Sequence, residues 1–250
     1  MPYRYLPMYP VLFRIGDFEI TSFGVLVGIA ALVGIWMFTR ELARSGLPSD
    51  AADAAVAGVI GGLIGAKLLW TVEFSGDAPV TDLLFSRGGL SWFGGLLGGV
   101  GAGLWMLRRR RVPIVGALAA ATPALAVGHA IGRLGCFMVG DDYGRPSDVP
   151  WAVAFPEGRP PTTVPVHPTQ LYESLALAVI AWALIRWRRQ GVADPVVLGR
   201  YFILAGSTRF AIEFIRVNRR IVGPLTLAHL ISLVLVVIGV ALLFRTSRSR

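Results

Sequence analysis

The chain has 250 residues, of which 54% are hydrophobic and only 16% are charged, and its formal net charge is +9. A soluble domain carries about 25% charged residues, and several apolar runs here reach the ~20 residues that cross a bilayer. These values exclude an ordinary soluble enzyme and favour a polytopic membrane protein. Because most arginines lie in short connections, the positive charge indicates membrane topology and contact with anionic lipid, not nucleic-acid binding. The single cysteine excludes an internal disulfide.

The predicted fold is an all-α polytopic membrane protein with seven transmembrane helices, and we treat residues 1–250 as one transmembrane domain. Residues 1–17 form an interfacial N-terminal arm, since their prolines and aromatic residues suit the headgroup region. Pro, Arg and Asp interrupt this segment too often for the apolar region of a cleavable signal peptide, so we expect none. The approximate bounds of the spans are 18–38, 51–72, 89–107, 113–137, 169–185, 197–215 and 225–244.

The connection between the fourth and fifth spans, residues 138–168, is the longest of the chain. It is rich in proline and has no periodic pattern. Structureless connections of this length are uncommon in compact domains and are usually functional. We therefore expect it to form a head on the outer side of the membrane.

The distribution of charge predicts the orientation of the spans. Arginine-rich connections follow spans one, three, five and seven, whereas acidic or proline-rich connections follow spans two and four. Since basic connections stay in the cytoplasm, the N-terminus lies outside, in the periplasm, and the C-terminus is cytoplasmic. Arg216, Arg219 and Arg220 break this rule because they fall on the outer side. This exception either has no functional meaning, or the three arginines form a basic patch that holds a lipid phosphate at the outer leaflet.

The fourth span ends in ionisable groups. His129, Arg133 and Cys136 stand at i, i+4 and i+7, so they share one face of a helix, and Asp141 and Asp142 follow. Ionisable residues at membrane depth are costly and usually face a protein interior or a wet cavity. We therefore predict that this stretch forms one wall of an intramembrane site.

Three further clusters fall on the predicted outer side. The glycine-rich segment 88–99 permits close approach of a ligand or of another backbone. Residues 167–173 read His-Pro-Thr-Gln-Leu-Tyr-Glu at the mouth of the fifth span. Arg209, Glu213 and Arg216 again stand at i, i+4 and i+7, where an ion-pair ladder can still offer a guanidinium to phosphate.

These clusters also have structural interpretations. Arg133 and Glu213 would form an interhelical ion pair, and the glycine run would serve only helix packing. Cys136 would be an inert residue, because a thiol in apolar surroundings stays protonated. His229 lies mid-span without a charged neighbour in sequence, and we take it as structural. The histidines and the cysteine lack the spacing of a zinc site, so we expect neither metal nor cofactor.

Four segments together resemble the prolipoprotein diacylglyceryl transferases, the phosphatidylglycerol-using enzymes of bacterial lipoprotein maturation. They occur in family order and cover nearly the whole chain. The resemblance implies a multi-pass protein of the bacterial inner membrane whose site opens to the outer leaflet. The segments are Gly-Gly-Leu-Ser-Trp-Phe-Gly-Gly-Leu-Leu-Gly (88–98), Gly-Arg-Leu-Gly-Cys-Phe through Gly-Asp-Asp-Tyr-Gly (132–144), His-Pro-Thr-Gln-Leu-Tyr-Glu (167–173) and Arg-Phe-Ala-Ile-Glu-Phe-Ile-Arg (209–216).

The resemblance also implies a reaction. The diacylglyceryl group of phosphatidylglycerol moves to the thiol of the lipobox cysteine of a secreted prolipoprotein, and glycerol phosphate leaves. Arg133 and Arg209 would bind and neutralise the phosphate, Glu213 would position Arg209, and Arg216 would extend the basic patch. Since the family histidine of the glycine segment is absent, we expect His129, or Asp141 with the acid beside it, to activate the thiol in its place. Further expected substrate-binding residues are Lys67, Ser91, Phe93, Cys136, Gly144, His167, Gln170 and Glu173.

The chain departs from the family pattern at several positions. The phosphate-binding arginines match, whereas several groups credited with orienting or activating the acceptor do not. At position 67 a lysine replaces the family arginine, which keeps the charge but loses the planar fork of the guanidinium. The departing positions, with the family residue in parentheses, are Phe23 (Tyr), Lys67 (Arg), Phe93 (His), Cys136 (Asn), Asp141 (Glu) and Ala205 (Tyr).

Three functional hypotheses are open at this point. The first is a divergent transferase that acts on prolipoproteins. The second is a relative that keeps the anionic-lipid site but uses another acceptor; in its sharper form Cys136 is a covalent carrier, with Arg133 stabilising its thiolate and His129 as base. The third is a non-catalytic protein that binds or moves lipid. The missing family histidine and tyrosine favour the third, whereas the intact Arg209 and Glu213 argue against it.

Overall fold

The computed structural model describes residues 9–16, 18–86, 89–218 and 220–248, apart from the side chains of Phe18 and Arg248. The predicted residues 1–8, 17, 88 and 219 lie outside the described residues. In the described chain the helices are α1 (Ser22–Arg44), α2 (Ala52–Glu73), α3 (Val80–Phe85), α4 (Trp92–Arg109), α5 (Ile114–Val139), α6 (Thr169–Arg189), α7 (Asp194–Glu213) and α8 (Leu227–Arg248). A 3-10 turn, Ser49–Ala51, precedes α2.

In the described residues, three antiparallel hairpins of two strands each accompany the helices and were not predicted. Their strands are β1 (Val11–Ile15) with β2 (Phe18–Thr21), β3 (Val153–Phe155) with β4 (Thr162–Val166), and β5 (Arg220–Val222) with β6 (Leu225–Thr226). The protein is therefore mostly helical, and the short strands found in this part of the chain lie in the connections and before α1.

Each predicted span corresponds to a long helix in the described residues. Four of these helices, α1, α2 with its preceding turn, α5 and α8, are long and apolar enough to cross a membrane. Their large apolar side chains are often exposed; Leu32 on α1 is 70% exposed and Val237 on α8 is 66% exposed. Apolar surface of this extent marks a partner or a membrane, and on helices of this length it suits lipid tails.

Helix ends follow local sequence signals. Asp194 and Pro195 open α7, where an acid and a proline suit the first turn. The arginines Arg186 and Arg189 extend α6 past the predicted end at 185, since cations favour the last turn of a helix. The sixth span, predicted to end at about residue 215, corresponds to α7, which ends two residues earlier at Glu213.

The chain divides into two compact units, of which residues 35–121 form the smaller. Within it α2 and α4 touch backbone to backbone. A Cβ atom at Gly65 would lie 2.4 Å from the carbonyl oxygen of Gly94, and one at Gly98 would lie 2.3 Å from that of Gly61. Small residues allow this approach between membrane helices. The structure thus supports the packing interpretation of the glycine segment.

The larger unit comprises residues 1–34 and 122–250. Its apolar core joins α5, α6 and α7 through the fully buried side chains of Ala126, Leu184 and Val197. Glycines again bring α7 and α8 together. This core fixes the three helices that carry the ionisable residues of the predicted site.

The long connection after α5 is not structureless. Its β3–β4 hairpin buries Val153, Phe155 and Val166, and Phe137 and Tyr143 pack against them. The ring of Tyr143 stacks on that of Phe155 with centroids 5.5 Å apart. The hairpin therefore gives the turn that follows α5 a small core of its own.

Candidate functional site

Arg133 lies near the end of α5 and joins two acids from different parts of the chain. Its Nε lies 2.8 Å from Oε2 of Glu173 on α6, and its Nη1 lies 2.8 Å from Oδ2 of Asp142. Only 9% of the side chain is exposed. The remaining nitrogen, Nη2, has no partner among the described residues. An unpaired buried donor costs about 1–3 kcal/mol, so this atom can gain a hydrogen bond from an anion that reaches it.

Glu173 is buried in α6 and contacts two residues of α5. Besides the ion pair with Arg133, its Oε1 lies 3.5 Å from Nε2 of His129. His129 and Arg133 therefore share the face that their spacing predicted. The alternative interpretation, an ion pair between Arg133 and Glu213, was wrong, because Glu213 pairs with Arg209.

Glu213 holds Arg209 as the spacing predicted. Its Oε2 lies 2.6 Å from Nη2 of Arg209, one turn earlier on α7. Its Oε1 accepts hydrogen bonds from Nδ2 of Asn218 at 2.7 Å and from the hydroxyl of Thr226 at 2.6 Å. Nη1 of Arg209 is buried and, within the part of the chain that the structure describes, has no partner. Glu213 thus orients one edge of the Arg209 guanidinium, and Nη1 on the other edge can still donate to a ligand.

Asp142 links Arg133 to Arg216. One carboxylate oxygen pairs with Arg133 and the other with Nη2 of Arg216. We predicted Arg216 on the face of α7, but the helix has ended before it, and Asp142 holds it at the site instead. Its Nε is 3.9 Å from Oε2 of Glu213. Asp142 has φ +60°, a backbone conformation that few residues other than glycine, Asn and Asp adopt.

The two adjacent acids have different electrostatic environments. Burial alone would raise the pKa of Asp142, but the charges of Arg216 and Arg133 outweigh it and lower the pKa below the ordinary value. Burial, together with the nearby charge of Asp142, raises the pKa of Asp141, although a hydrogen bond from the Cys136 thiol partly opposes this. Asp142 is therefore the charged partner of the arginines, whereas the sequence suggested the two acids only as a possible base for the acceptor thiol.

The start of α6 fixes the turn that carries these acids. Thr169 donates its hydroxyl to the carbonyl oxygen of Asp142 at 2.9 Å, and Nε2 of Gln170 donates to that of Asp141 at 2.6 Å. A Cβ atom on Gly144 would lie 2.8 Å from backbone and side-chain atoms around it, so only glycine fits. Gln170 and Gly144, both predicted at the site, thus act on the backbone.

His167 lies at the other end of this segment. Its Nδ1 is 3.2 Å from the hydroxyl of Tyr172, which also accepts a hydrogen bond from Nε1 of Trp151 at 2.6 Å. The side-chain hydrogen bond described for His167 therefore goes to an aromatic cluster and not to the arginines.

Three predicted residues belong to the smaller unit. Lys67 donates through Nζ to the carbonyl and hydroxyl oxygens of Ser86, both at 2.8 Å. Ser91 donates its hydroxyl to Oε1 of Glu73 at 3.0 Å. Phe93 is partly exposed and carries no group that can exchange a proton.

Cys136, Asp141 and Asp142 place possible metal-ligand atoms within 4.8 Å of one another. Two guanidinium groups, those of Arg133 and Arg216, already pair with Asp142. A cation at this point would face their positive charge. The cluster is therefore better suited to holding arginines than to holding a metal.

Comparison with known proteins agrees with the motifs. The family model described as prolipoprotein diacylglyceryl transferase matches residues 10–245. The similar phosphatidylglycerol–prolipoprotein diacylglyceryl transferases include those of Vibrio cholerae (30% identical over 97% of this chain and 94% of the relative), Geobacter sulfurreducens (31%, 96% and 96%) and Synechococcus elongatus (34%, 92% and 85%). These matches confirm the resemblance inferred from the four segments. The chain belongs to the prolipoprotein diacylglyceryl transferase family.

Proposed function

We propose that the protein transfers the diacylglyceryl group of phosphatidylglycerol to the lipobox cysteine of a prolipoprotein and releases glycerol phosphate. The names of its relatives support this donor and this acceptor. The observation that carries the proposal is the pair of buried guanidinium nitrogens, Nη2 of Arg133 and Nη1 of Arg209, that lack partners among the described residues. Carboxylates hold each arginine elsewhere, so each keeps one donor for an anion.

Two guanidinium groups suit a phosphodiester, which carries one negative charge on two free oxygens. When the carbon–oxygen bond to the diacylglyceryl group breaks, a second negative charge develops on the departing phosphate. Fixed cations stabilise this state more than the ground state and thereby lower the barrier. Asp142, Glu173 and Glu213 orient the arginines before the lipid arrives, so little reorganisation is needed during the reaction.

The thiol of the acceptor must lose its proton before it attacks, and we assign the base to His129. Its side chain is 48% exposed, and Nε2 lies 3.5 Å from the buried carboxylate of Glu173. A carboxylate behind an imidazole fixes the tautomer and stabilises the protonated ring, so Nδ1 takes the proton. The Asp141–Asp142 pair is less suitable because Asp142 is engaged by two arginines and Asp141 by the Cys136 thiol.

The proposal includes seven membrane spans in the bacterial inner membrane, with the N-terminus outside and the C-terminus in the cytoplasm. The long helices and the arginine distribution support this topology. With this orientation the end of α5, the start of α6 and the end of α7 lie on the outer side, where secreted prolipoproteins emerge. The exposed Leu12, Phe13 and Ile15 of β1 support an interfacial location for the described part of the N-terminal arm.

The carrier hypothesis for Cys136 is less favoured. A diacylglyceryl thioether on this residue would be a poor leaving group, so a second transfer from it would be slow. The thiol is buried, with Nη1 of Arg133 3.6 Å from its sulfur and Asp141 accepting its hydrogen bond. We assign Cys136 a positioning role beside these two residues.

The test uses purified protein, phosphatidylglycerol vesicles and a lipobox peptide, with glycerol-phosphate release and peptide mass followed together. We expect the peptide to be lipidated and an equal amount of glycerol phosphate to be released. Arg133→Gln and Arg209→Gln should each lower the rate about 100-fold or more, since each removes a cation that stabilises the departing phosphate. The exposed Arg186, at the opposite end of α6, provides a matched Arg186→Gln control with unchanged rate.

Two results would overturn parts of the proposal. Glycerol-phosphate release without peptide modification would overturn the acceptor and indicate another one. Lipid retained by the protein without either product would overturn the catalytic function and indicate a lipid-binding protein.

A further inference from the structure

A cavity of about 170 Å³ lies where α7 ends and α8 begins. Glu213 and Arg216 line it. It therefore adjoins the arginine cluster, Arg133, Arg209 and Arg216, at the site proposed to hold the phosphate. The reaction described above assigns nothing to the remainder of its lining. The hydrogen-bonding side chains there are Arg145, Asn218, Arg220, Thr226 and His229.

His229 contributes an unused hydrogen-bond donor. The residue is 1% exposed. The backbone N–H of Thr226 donates to Nδ1 at 3.1 Å, which requires a lone pair on that nitrogen. The hydroxyl proton of Thr226 is already donated to Glu213. The imidazole proton therefore resides on Nε2, which has no hydrogen-bond partner in the described part of the chain.

The cations of the cavity come from three segments. Arg145 donates through Nη2 to the carbonyl oxygen of Phe214 at 2.6 Å, which places it against the end of α7. Arg216 is held by its pairing with an acid of the turn after α5. Arg220 is exposed in β5, opposite Thr226 in the β5–β6 hairpin. The three guanidinium groups make the cavity strongly attractive to anions.

Carboxylates are scarce among the described residues of the same lining. Glu213 supplies the carboxylate of the lining, and both of its oxygens are engaged: Oε1 by Asn218 and Thr226, and Oε2 by Arg209. An ammonium headgroup would therefore meet cations without a free carboxylate. A ligand that brings phosphate oxygens and hydroxyl groups matches these donors.

We propose that this cavity holds the phosphorylated glycerol of the donor headgroup, with the N–H of His229 donating to a glycerol hydroxyl and Arg220 binding at the exposed side. This rests on the proposed function and extends it from the phosphate to the part of the lipid that leaves. A cavity of about 150 Å³ accommodates benzene, with six non-hydrogen atoms, so this one, of about 170 Å³, accommodates the six of the glycerol group while the phosphate lies beside Arg216 at its edge. The ligand class is a small phosphorylated polyol, present either as lipid headgroup or as free product.

The first experiment measures binding without turnover. Purified protein in detergent is titrated with glycerol phosphate and, separately, with inorganic phosphate, and binding is followed by phosphorus NMR. We expect wild type to bind glycerol phosphate about tenfold more tightly than inorganic phosphate, because additional donors meet the glycerol. His229→Phe and Arg220→Gln should each weaken glycerol-phosphate binding about tenfold. His229→Gln, which keeps a donor, should restore most of the affinity, and the exposed Arg186→Gln should have none of these effects.

The second experiment measures transfer with the same variants. If the lipid headgroup occupies the cavity, the KM for phosphatidylglycerol rises in His229→Phe and Arg220→Gln more than kcat falls. If the free product occupies it, glycerol-phosphate affinity alone changes. Arg220 is exposed, so its variant remains informative if His229→Phe fails to fold.

The outcomes separate the two proposals. Transfer by wild type combined with unchanged glycerol-phosphate affinity and KM in Arg220→Gln and His229→Gln, and in His229→Phe where it folds, would overturn the cavity assignment alone. Glycerol-phosphate binding that depends on His229 and Arg220, without transfer to any peptide, would overturn the catalytic function alone.

Discussion

Arg133 and Asp142 form an ion pair of 2.8 Å across a reversal of the chain after α5. Gly140 and Asp142 both have positive φ, +66° and +60°, and these two residues turn the backbone back toward the helix. The second oxygen of the same carboxylate pairs with Arg216. One turn therefore positions two of the three arginines at the site.

Asp142→Asn should lower the transfer rate about tenfold and the free energy of unfolding by about 1–2 kcal/mol, because the neutral amide pairs weakly with both arginines and the site is partly exposed. Transfer assays and thermal unfolding in detergent measure the two effects. Asp141→Asn is the neighbouring control and should change the rate less. Equal losses in both variants would contradict the assignment of Asp142.

The same two acids predict opposite dependences on pH. Because the pKa of Asp142 is lowered, its contribution to stability is present above the ordinary value of about 3.9 and is lost as the pH falls through the lower folded value. Because the pKa of Asp141 is raised, its contribution is present below the ordinary value and is lost as the pH rises through the raised one.

Melting temperatures of wild type, Asp142→Asn and Asp141→Asn between about pH 3 and 8 test these signs. The destabilisation caused by Asp142→Asn should become smaller at acid pH. The melting temperature of Asp141→Asn should rise relative to that of wild type at neutral pH. Parallel curves for all three proteins would show that neither carboxyl group has a shifted pKa.

His129→Gln should lower kcat about 100-fold at neutral pH, the lower end of the effect of a general base, with little change in the KM for lipid. The rate should recover as the pH approaches the pKa of the acceptor thiol, about 8.5, since the thiolate then forms without a base. A pH–rate profile with the shape of the wild-type profile would assign the base elsewhere.

Gly98→Ala should destabilise the contact between α2 and α4, because its Cβ would lie 2.3 Å from the carbonyl oxygen of Gly61. Overpacking of this kind costs about 1–3 kcal/mol. A Cβ atom on Gly101, in the same helix, would meet no neighbouring atom within 4 Å, so Gly101→Ala should stabilise by about 0.5–1 kcal/mol through helix propensity. Thermal unfolding in detergent compares the stability of the two variants. A lower stability of both variants than of wild type would contradict the assignment of close packing to Gly98 alone.

Cys136→Ser should retain most of the transfer activity, because the residue positions its neighbours and does not carry the lipid. Intact mass of wild type after incubation with phosphatidylglycerol should show no lipid adduct. An adduct that disappears in Cys136→Ser together with the activity would instead establish the carrier hypothesis.

The helical part of the fold could be predicted because each span is a long apolar run with basic residues at one end. The hairpins could not. Val153 and Val166 pair across a proline-rich connection with little alternation of polar and apolar residues, so no local pattern marks the strands. Their pairing depends on the small core that the connection forms with the end of α5.

Contacts along one helix were predictable, as Arg209 and Glu213 show, because helical spacing determines them. Contacts between helices were not: no spacing rule connects Arg133 to Glu173, which pair only because α5 and α6 share a core. For the same reason the sequence indicated only a structural role for His229. Its neighbours in sequence are apolar, and its proposed role follows from a cavity that more distant segments form.

The arginine cluster lies where two helices finish, α5 at Val139 and α7 at Glu213. The C-terminal end of a helix carries roughly half a negative charge, which favours a guanidinium beside it and disfavours an anion. Glycerol phosphate carries more negative charge once it has separated from the lipid, so this field opposes its retention most strongly after the bond has broken. The directions of α5 and α7 thus favour the arginines and weaken the retention of free glycerol phosphate, whereas the guanidinium groups stabilise the charge that develops while the bond breaks.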